Sequence, residues 1–480
     1  MMLANINTVL PEATIAIAAL VVLLADLFIS KKLKDIAYIL TQVFLIIAAW
    51  VTLKQFLVPE YIGFGGHTHS NAFTSIMQEC VYLSAFFVFI YAKEYVDDRK
   101  LPQGEFYVLG LLSILGAIVL ISAYSLLTIY IGLELLSLPI YALLAIRRGF
   151  AKGVEAAIKY FILGAITSGL LLYGMSFIYG ITGTLNLYKI GVYLANHNAA
   201  HLDIVLVSMV LMITTASFKL GAVPFHMWVP DVYEGSPNAV TAFLASIPKL
   251  AAFSMLVSLL MVALPNQSYA WTKVLTVFGV MSLLFGNLLA LTQNNLKRLL
   301  GYSAVSHIGF ILPALTLHPT SYAVSTALFY IIVYVLTASA SFGVLIVLSV
   351  KGNEVENLTD FAGLNRRNPW ISFLMLVLMF SMAGMPPLSG FVAKLFVIMG
   401  LIDTHHYILA TYALIMSVIA SFYYVRVVKV IYFDLPKNMT PINANKVTLL
   451  GLTLNTMLIL FLGLFPALLV NLIGPVYAIF

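Results

Sequence analysis

Five ionisable side chains lie inside stretches that are otherwise almost wholly apolar. Glu134 sits within LLTIYIGLELLSLPIYALLA and Lys219 within ASFKLGAVPFHMW. Lys249 sits within NAVTAFLASIPKLAAFSMLVSLL, His307 within GYSAVSHIGFIL and Lys394 within GMPPLSGFVAKLFVIMG. A charge at the centre of a membrane helix costs about 2.5–3.5 kcal/mol on insertion scales. Several in one chain therefore imply a polar interior. Prolines accompany them: Pro139 follows Glu134, Pro224 follows Lys219, Pro248 directly precedes Lys249, and Pro386 and Pro387 come shortly before Lys394. A proline inside a helix frees a carbonyl, which in a membrane must find water or another polar group. Titratable groups placed beside such breaks are suited to carrying protons.

The chemistry follows from two opposing effects. Burial favours the neutral amine of a lysine. A carboxylate about 4 Å away favours the ammonium by roughly 4 kcal/mol at an effective dielectric of 20. A glutamate that approaches and withdraws would thus load and unload a buried lysine, and Glu134 with Lys219 is the expected pair. Lys249 and His307 would pass the proton along the row, and Lys394 would be the last station before the outer side.

Blander readings compete at each position. Lys219 lies toward one end of its apolar run, from which a lysine can snorkel to the surface; Glu134 could form a purely structural ion pair, and His307 could be a packing histidine. Glu105, at the start of the fourth span, and Glu155, four residues before Lys159, are candidate entrance groups, with a surface pair as the rival reading. Asp231 and Glu234 are expected to serve the fold of a short loop. His67, His69, His197, His201, His405 and His406 fall in outward loops with no accompanying carboxylate or cysteine, so no metal site is expected.

The elements that must position these residues are membrane helices. Of 480 residues 62% are hydrophobic and only 9% charged, with a mean hydropathy of +1.01, against about 25% charged in soluble domains. A span needs about 20 apolar residues. The runs are 9–29, 36–56, 74–92, 104–122, 124–145, 155–180, 203–223, 238–263, 271–291, 299–317, 322–349, 371–402, 406–431 and 447–476, giving an all-α membrane protein of about 14 transmembrane helices. The N-terminal stretch lacks a basic region and a small-residue cleavage site, so it reads as a first span. Basic residues fall on alternate loops: 30–35, 93–100, 147–153, 294–299, 363–369 and the segment with Lys437 and Lys446. The opposite loops hold little beyond Lys54, Lys189 and Lys273. By the positive-inside rule the first side is cytoplasmic and both termini face outward. The net charge of +6 is spread along these loops and suggests no nucleic-acid partner. The single cysteine, Cys80, excludes a disulfide framework or a cysteine-ligated cluster within the chain. No linker or soluble domain interrupts residues 1–480, which read as one polytopic domain.

An offset of about 175 residues carries Lys219 to Lys394, Glu134 close to His307, and Lys249 close to Tyr424. It fits two five-helix units, roughly 104–263 and 271–431, and an odd number of spans per unit inverts the second against the first. Inverted repeats of this kind place ion sites near the midplane on interrupted helices.

The stretches around Glu134, Lys219–Lys249, His307 and Lys394 resemble the antiporter-like membrane subunits of respiratory complex I, and the resemblance covers essentially the whole chain. It implies fourteen helices with two inverted five-helix units. It also implies a glutamate–lysine pair at Glu134 and Lys219, a central lysine at Lys249 and an outer lysine at Lys394. The chain ends at Phe480 without a long lateral helix and has lysine, not glutamate, at position 394, which points to one subunit type within that family. The implied function is proton translocation, in a bacterial inner membrane, driven by electron transfer elsewhere. NADH, FMN, the iron–sulfur clusters and the quinone would be bound by partner subunits, with no cofactor or redox centre here. The partners would be other membrane-arm subunits, including neighbouring antiporter-like ones, and the lipid bilayer. The rival readings are a subunit of a multi-subunit sodium/proton antiporter and a purely structural membrane-arm subunit. A solute carrier has little support, because no ligand-specific constellation is present.

Overall fold

The computed structural model describes residues 8–28, 35–56, 60–147, 149–197, 202–318, 320–349, 354–436 and 445–479. The expected loop residues Lys31, Lys32, Lys34, Arg148 and Lys437, together with His201 and both extreme termini, lie outside the described residues.

The chain is a bundle of helices. They run α1 Leu10–Phe28, α2 Ile36–Phe56, α3 Ala72–Asp98, α4 Gln103–Ile121, α5 Leu126–Leu144 and α6 Ala151–Thr182. Next come the short α7 Leu187–Asn196, then α8 Leu202–Leu220, α9 Trp228–Gly235, α10 Asn238–Leu244, α11 Ile247–Val257, α12 Ser268–Leu291 and α13 Leu296–Ala314. The last are α14 Thr320–Leu348, α15 Pro369–Ala383, α16 Ser389–Asp403, α17 Tyr407–Phe433, α18 Lys446–Leu464 and α19 Pro466–Ile473. A small hairpin, β1 Tyr61–Gly63 against β2 Thr68–Ser70, precedes α3. Asparagines start many of the helices. The side chains of Asn71, Asn186, Asn295, Asn368 and Asn445 each accept a backbone N–H of the following turn, which satisfies donors a helix start leaves open.

Among the described residues twelve stretches, one of them (Asn238–Ala263) running through α10 and α11, are long and apolar enough to cross a membrane. Two expected spans are not among them. Residues 299–317 fall on α13, which is nineteen residues long and buried throughout most of its length, but it carries Lys297 and Arg298 in its first turn. Residues 371–402 are not one helix. They divide into α15 and α16 at Gly384–Leu388, where two prolines remove amide donors and Gly384 takes a left-handed φ of +84°.

The first unit is broken in the same manner. α8 ends at Leu220, Gly221 has φ +78°, Pro224 follows, and the chain resumes as α9. Gly221–Pro224 and Gly384–Pro387 thus share a positive-φ glycine with a proline three residues on. Lys219 precedes its glycine by two residues, whereas Lys394 follows its own by ten. Both α8 and α15 end this way because glycine alone reaches a left-handed φ without a steric cost.

α14 is the axle of the bundle, buried along nearly its whole length, while α1, α2, α6 and α17 present apolar outer faces. Leu20, Leu24, Ile46, Trp50, Ile162, Ile166, Val418 and Phe422 are all exposed, as expected of a surface that meets acyl chains or partner helices.

The basic loops gather at one end of the bundle. There Arg99 Nε meets Glu354 at 3.1 Å and Arg147 meets it at 3.8 Å. Arg298 grips Asp231 at 2.8 Å and Glu234 at 3.0 Å. Lys297, expected as an ordinary loop charge, is buried: it donates to the Ser236 carbonyl at 2.6 Å and to Glu356 at 3.2 Å. These contacts tie α9 and the loop after α14 to the first turn of α13.

Candidate functional site: a buried row of cations and hydroxyls

The breaks in α8 and α15 create the site. Each leaves the last carbonyls of a helix without an amide partner, and each has a lysine on them. The Lys249 ammonium, carried in by the first turn of α11, donates to the Leu220 carbonyl at 2.5 Å. The Lys394 ammonium, from the second half-helix, donates to the Ala383 carbonyl at 2.9 Å and to the Ser417 hydroxyl at 3.0 Å. A cation at the negative end of a helix is held by charge as well as by the hydrogen bond. The indole of Trp228 donates to the Phe218 carbonyl at 2.8 Å, which also accepts the Gly221 amide at 3.0 Å.

Lys219 does not snorkel. It is 2% exposed, and its ammonium donates to Ser137 Oγ on α5 at 2.7 Å. Ser137 in turn donates to the Leu133 carbonyl at 2.6 Å. Glu134, one turn before Ser137, is half-buried and forms no ion pair with Lys219, so the expected pair is not in contact in this conformation.

Aromatic rings fill the spaces between the cations. Lys219 Nζ lies 5.4 Å from the Tyr160 ring, and Lys249 Nζ lies 5.1 Å from that of Trp228. The two rings are 4.5 Å apart, so a continuous aromatic wall links the first two lysines. Such faces attract a desolvated cation without offering it a base.

In the second unit His307 takes the centre. Its Nδ1 shares a hydrogen with Tyr330 at 2.9 Å and its Nε2 with Tyr424 at 3.0 Å. Tyr424 also bonds to Ser303. The ring faces a small cavity that reaches Ser381 and Gly390, on either side of the α15–α16 break, and Ala393 beside Lys394. Lys394 Nζ lies 5.3 Å from Phe310, one turn along the helix of His307. In the first unit three hydroxyls, those of Ser217 on α8, Tyr233 on α9 and Ser254 on α11, are buried with no hydrogen-bond partner among the described residues. Buried polar atoms of this kind are where ordered water is expected.

The structure thus brings Lys219, Lys249, His307 and Lys394 into the interior and leaves Glu134 at its edge. It does not bring in Glu105, which is exposed in the first turn of α4. Glu155 pairs with Lys159 at 2.8 Å at the charged end, and Lys159 also reaches Asp231 at 3.2 Å. Asp231 and Glu234 stand on α9 and not in a loop. For Asp231, burial would raise the carboxyl's pKa, but hydrogen bonds and charge from Arg298 and Lys159 outweigh it and hold the group below its ordinary value. His69 has a carboxylate after all: Glu60 lies 2.5 Å from its Nε2. Burial lowers the pKa of His69 against the opposing pull of Glu60. Among the described residues no cluster of three metal-ligating side chains forms.

Sequence reasoning missed Ser137, Ser417 and Tyr330, whose roles come only from where distant helices place them. Tyr424 had a signal, since the 175-residue offset set it opposite Lys249. In the structure it is the partner of His307.

Residues 123–420 match the family described as NADH:quinone oxidoreductase/Mrp antiporter, transmembrane. The chain is 50% identical over 476 residues to NADH-quinone oxidoreductase subunit N of Francisella tularensis subsp. holarctica, covering 98% of each. It is 44% identical over 470 residues to the protein of the same name from Coxiella burnetii, covering 97% of each. Among solved structures it is similar to a chain of respiratory complex I from Thermus thermophilus with bound aureothin, with a TM-score of 0.81 and 30% identity, covering 96% of this chain and 99% of that one. A chain of the Mrp complex from Dietzia shares the fold at a TM-score of 0.86 and 21% identity, covering 100% and 97%.

Proposed function

The chain belongs to the NADH-quinone oxidoreductase subunit N family, and from that premise we propose that protons cross it along Glu134, Lys219, Lys249, His307 and Lys394. It is a proton-translocating membrane subunit of NADH:quinone oxidoreductase. NADH, FMN, the iron–sulfur clusters and quinone are carried by other subunits of that complex, and this chain contributes no redox centre to the reaction. Its neighbours are other membrane-arm subunits, antiporter-like ones among them, and lipid.

The observation that carries the route is the chemistry of the lysine partners. Lys219, Lys249 and Lys394 are buried, yet each is bonded to a hydroxyl or a main-chain carbonyl and not to a carboxylate. A lysine kept only to hold helices together would be neutralised by a buried acid, because a desolvated charge without one is costly. A lysine that must change its charge is better served by neutral partners. The charged end, with Arg99, Arg147, Lys297 and Arg298, is placed in the cytoplasm by the positive-inside rule, and both termini then face the outer side of a bacterial inner membrane. Protons enter at Glu134 and Lys219, pass Lys249 and His307 through the hydroxyls and ordered water beside them, and leave from Lys394. The fourteen-helix count, with α13 and the α15–α16 pair each as one crossing, and the repeat units at 104–263 and 271–431 belong to the same reading.

The test is Lys219→Ala in the intact complex, reconstituted into vesicles, with proton pumping and NADH oxidation followed together. On this reading the complex assembles and both activities collapse. Normal pumping by an assembled Lys219→Ala complex would falsify the route, and loss of assembly alone would favour a structural role.

A further inference from the structure

We propose that α5 offers Lys219 two docks one helical turn apart, Ser137 and Glu134, and that Ser137 is the one occupied while the lysine waits with its proton. This rests on the proton route just described.

Ser137 and Lys219 are both nearly inaccessible, at 1% and 2% exposed, so water outside the protein does not satisfy the ammonium. Its hydrogen bond goes to Ser137 Oγ at 2.7 Å. The hydroxyl's own hydrogen is already committed to the Leu133 carbonyl at 2.6 Å. The serine oxygen therefore faces the lysine with lone pairs only, and it can receive an N–H but has none to give back. That polarity suits an ammonium, which has three donors and no acceptor. It suits a neutral amine less well, since the amine nitrogen gains nothing for its lone pair.

Glu134 precedes Ser137 by three residues on the same helix, so the two lie on neighbouring positions of one face. They are separated by about 4.5 Å along the axis at 1.5 Å per residue. A four-carbon lysine stem covers that distance by changing rotamers, with no movement of either helix. The two docks differ in kind. Glu134 carries charge and fixes the proton on the lysine; Ser137 is neutral and holds the ammonium without deepening its hold on the proton. Moving from Glu134 to Ser137 therefore primes Lys219 to release. The Tyr141 ring, on the next turn of α5, lies 5.9 Å from the Lys219 ammonium and walls the same side of the dock. Ser137 is a positioning residue in this scheme: it sets where the ammonium sits and takes no proton from it.

The experiment compares Ser137→Ala and Ser137→Thr in the whole complex, reconstituted into vesicles, with Lys219→Ala alongside. Proton pumping per assembled complex is recorded from acid to alkaline pH. Ser137→Ala is expected to assemble, to pump several-fold more slowly and to show a displaced pH profile, because the lysine is left with Glu134 alone. Ser137→Thr keeps the hydroxyl and is expected to recover both rate and profile. Ser137→Ala pumping at the normal rate with an unchanged profile overturns the dock, as does equal impairment of the alanine and threonine forms, which would mark a packing role. An inactive Lys219→Ala beside an unaffected Ser137→Ala defeats only the dock. An active Lys219→Ala defeats the route itself.

Discussion

Gly221→Ala offers a sharp probe of the break in α8, because a single methyl group would meet three constraints at once. The residue has φ +78°, where a side chain costs about 1–2 kcal/mol. Its new Cβ would lie 2.6 Å from Val229 Cγ2 and 3.1 Å from the Lys249 ammonium. Overpacking of this order costs about 1–3 kcal/mol, so roughly 2–5 kcal/mol is expected in all. The methyl also pushes Lys249 from the Leu220 carbonyl, with which its hydrogen bond measures 2.5 Å. A hydrogen bond to a charged group is worth about 1.5–3 kcal/mol, and its loss from the transfer step lowers the rate roughly ten- to a hundredfold. Gly363→Ala is the matched control. Gly363 also has positive φ, +62°, and its Cβ would strike Pro436 at 2.5 Å, but it stands at the charged end, away from the row. Both variants should lower the Tm of the purified complex, while only Gly221→Ala should lose proton flux per assembled complex. Full flux and stability in Gly221→Ala, or equal loss of flux in the control, refutes the link between the break and Lys249.

Tyr424→Phe removes the hydroxyl that joins His307 to Ser303 while keeping the ring, so proton pumping in vesicles should fall and assembly should not; an unchanged rate would take Tyr424 off the route. Asp231→Asn should lower stability at neutral pH by a small amount, about 0.2–1 kcal/mol for so exposed a set of pairs. Since the folded carboxyl titrates below its ordinary value, its contribution is present above the usual carboxylate range and is lost as pH falls through the depressed value. Melting curves of the wild type and the variant should therefore converge in acid, and a gap independent of pH would count against the assignment.

Much of this was legible in the sequence because a membrane punishes buried charge and broken helices. Lys219, Lys249, His307 and Lys394 stood out against apolar surroundings, and Pro224 and Pro387 marked the breaks where the structure has them. What escaped was whatever depends on which helix faces which. Nothing local separates Ser137 from any other membrane serine, and its place comes from α8 lying against α5. Lys297 reads as one more loop cation in NNLKRL until α13 buries it under the Ser236 carbonyl. The two breaks share a positive-φ glycine followed by a proline, yet their lysines stand on opposite sides of those glycines, since a broken helix constrains φ and amide donors more tightly than it constrains where an amine is rooted.

The carbonyl seats of Lys249 and Lys394 carry one more implication. A main-chain oxygen never titrates, and an amine that has surrendered its hydrogen ion still has two N–H bonds to offer. These two posts therefore keep a hydrogen bond whether full or empty, and what an empty post gives up is the pull of its charge on the helix end.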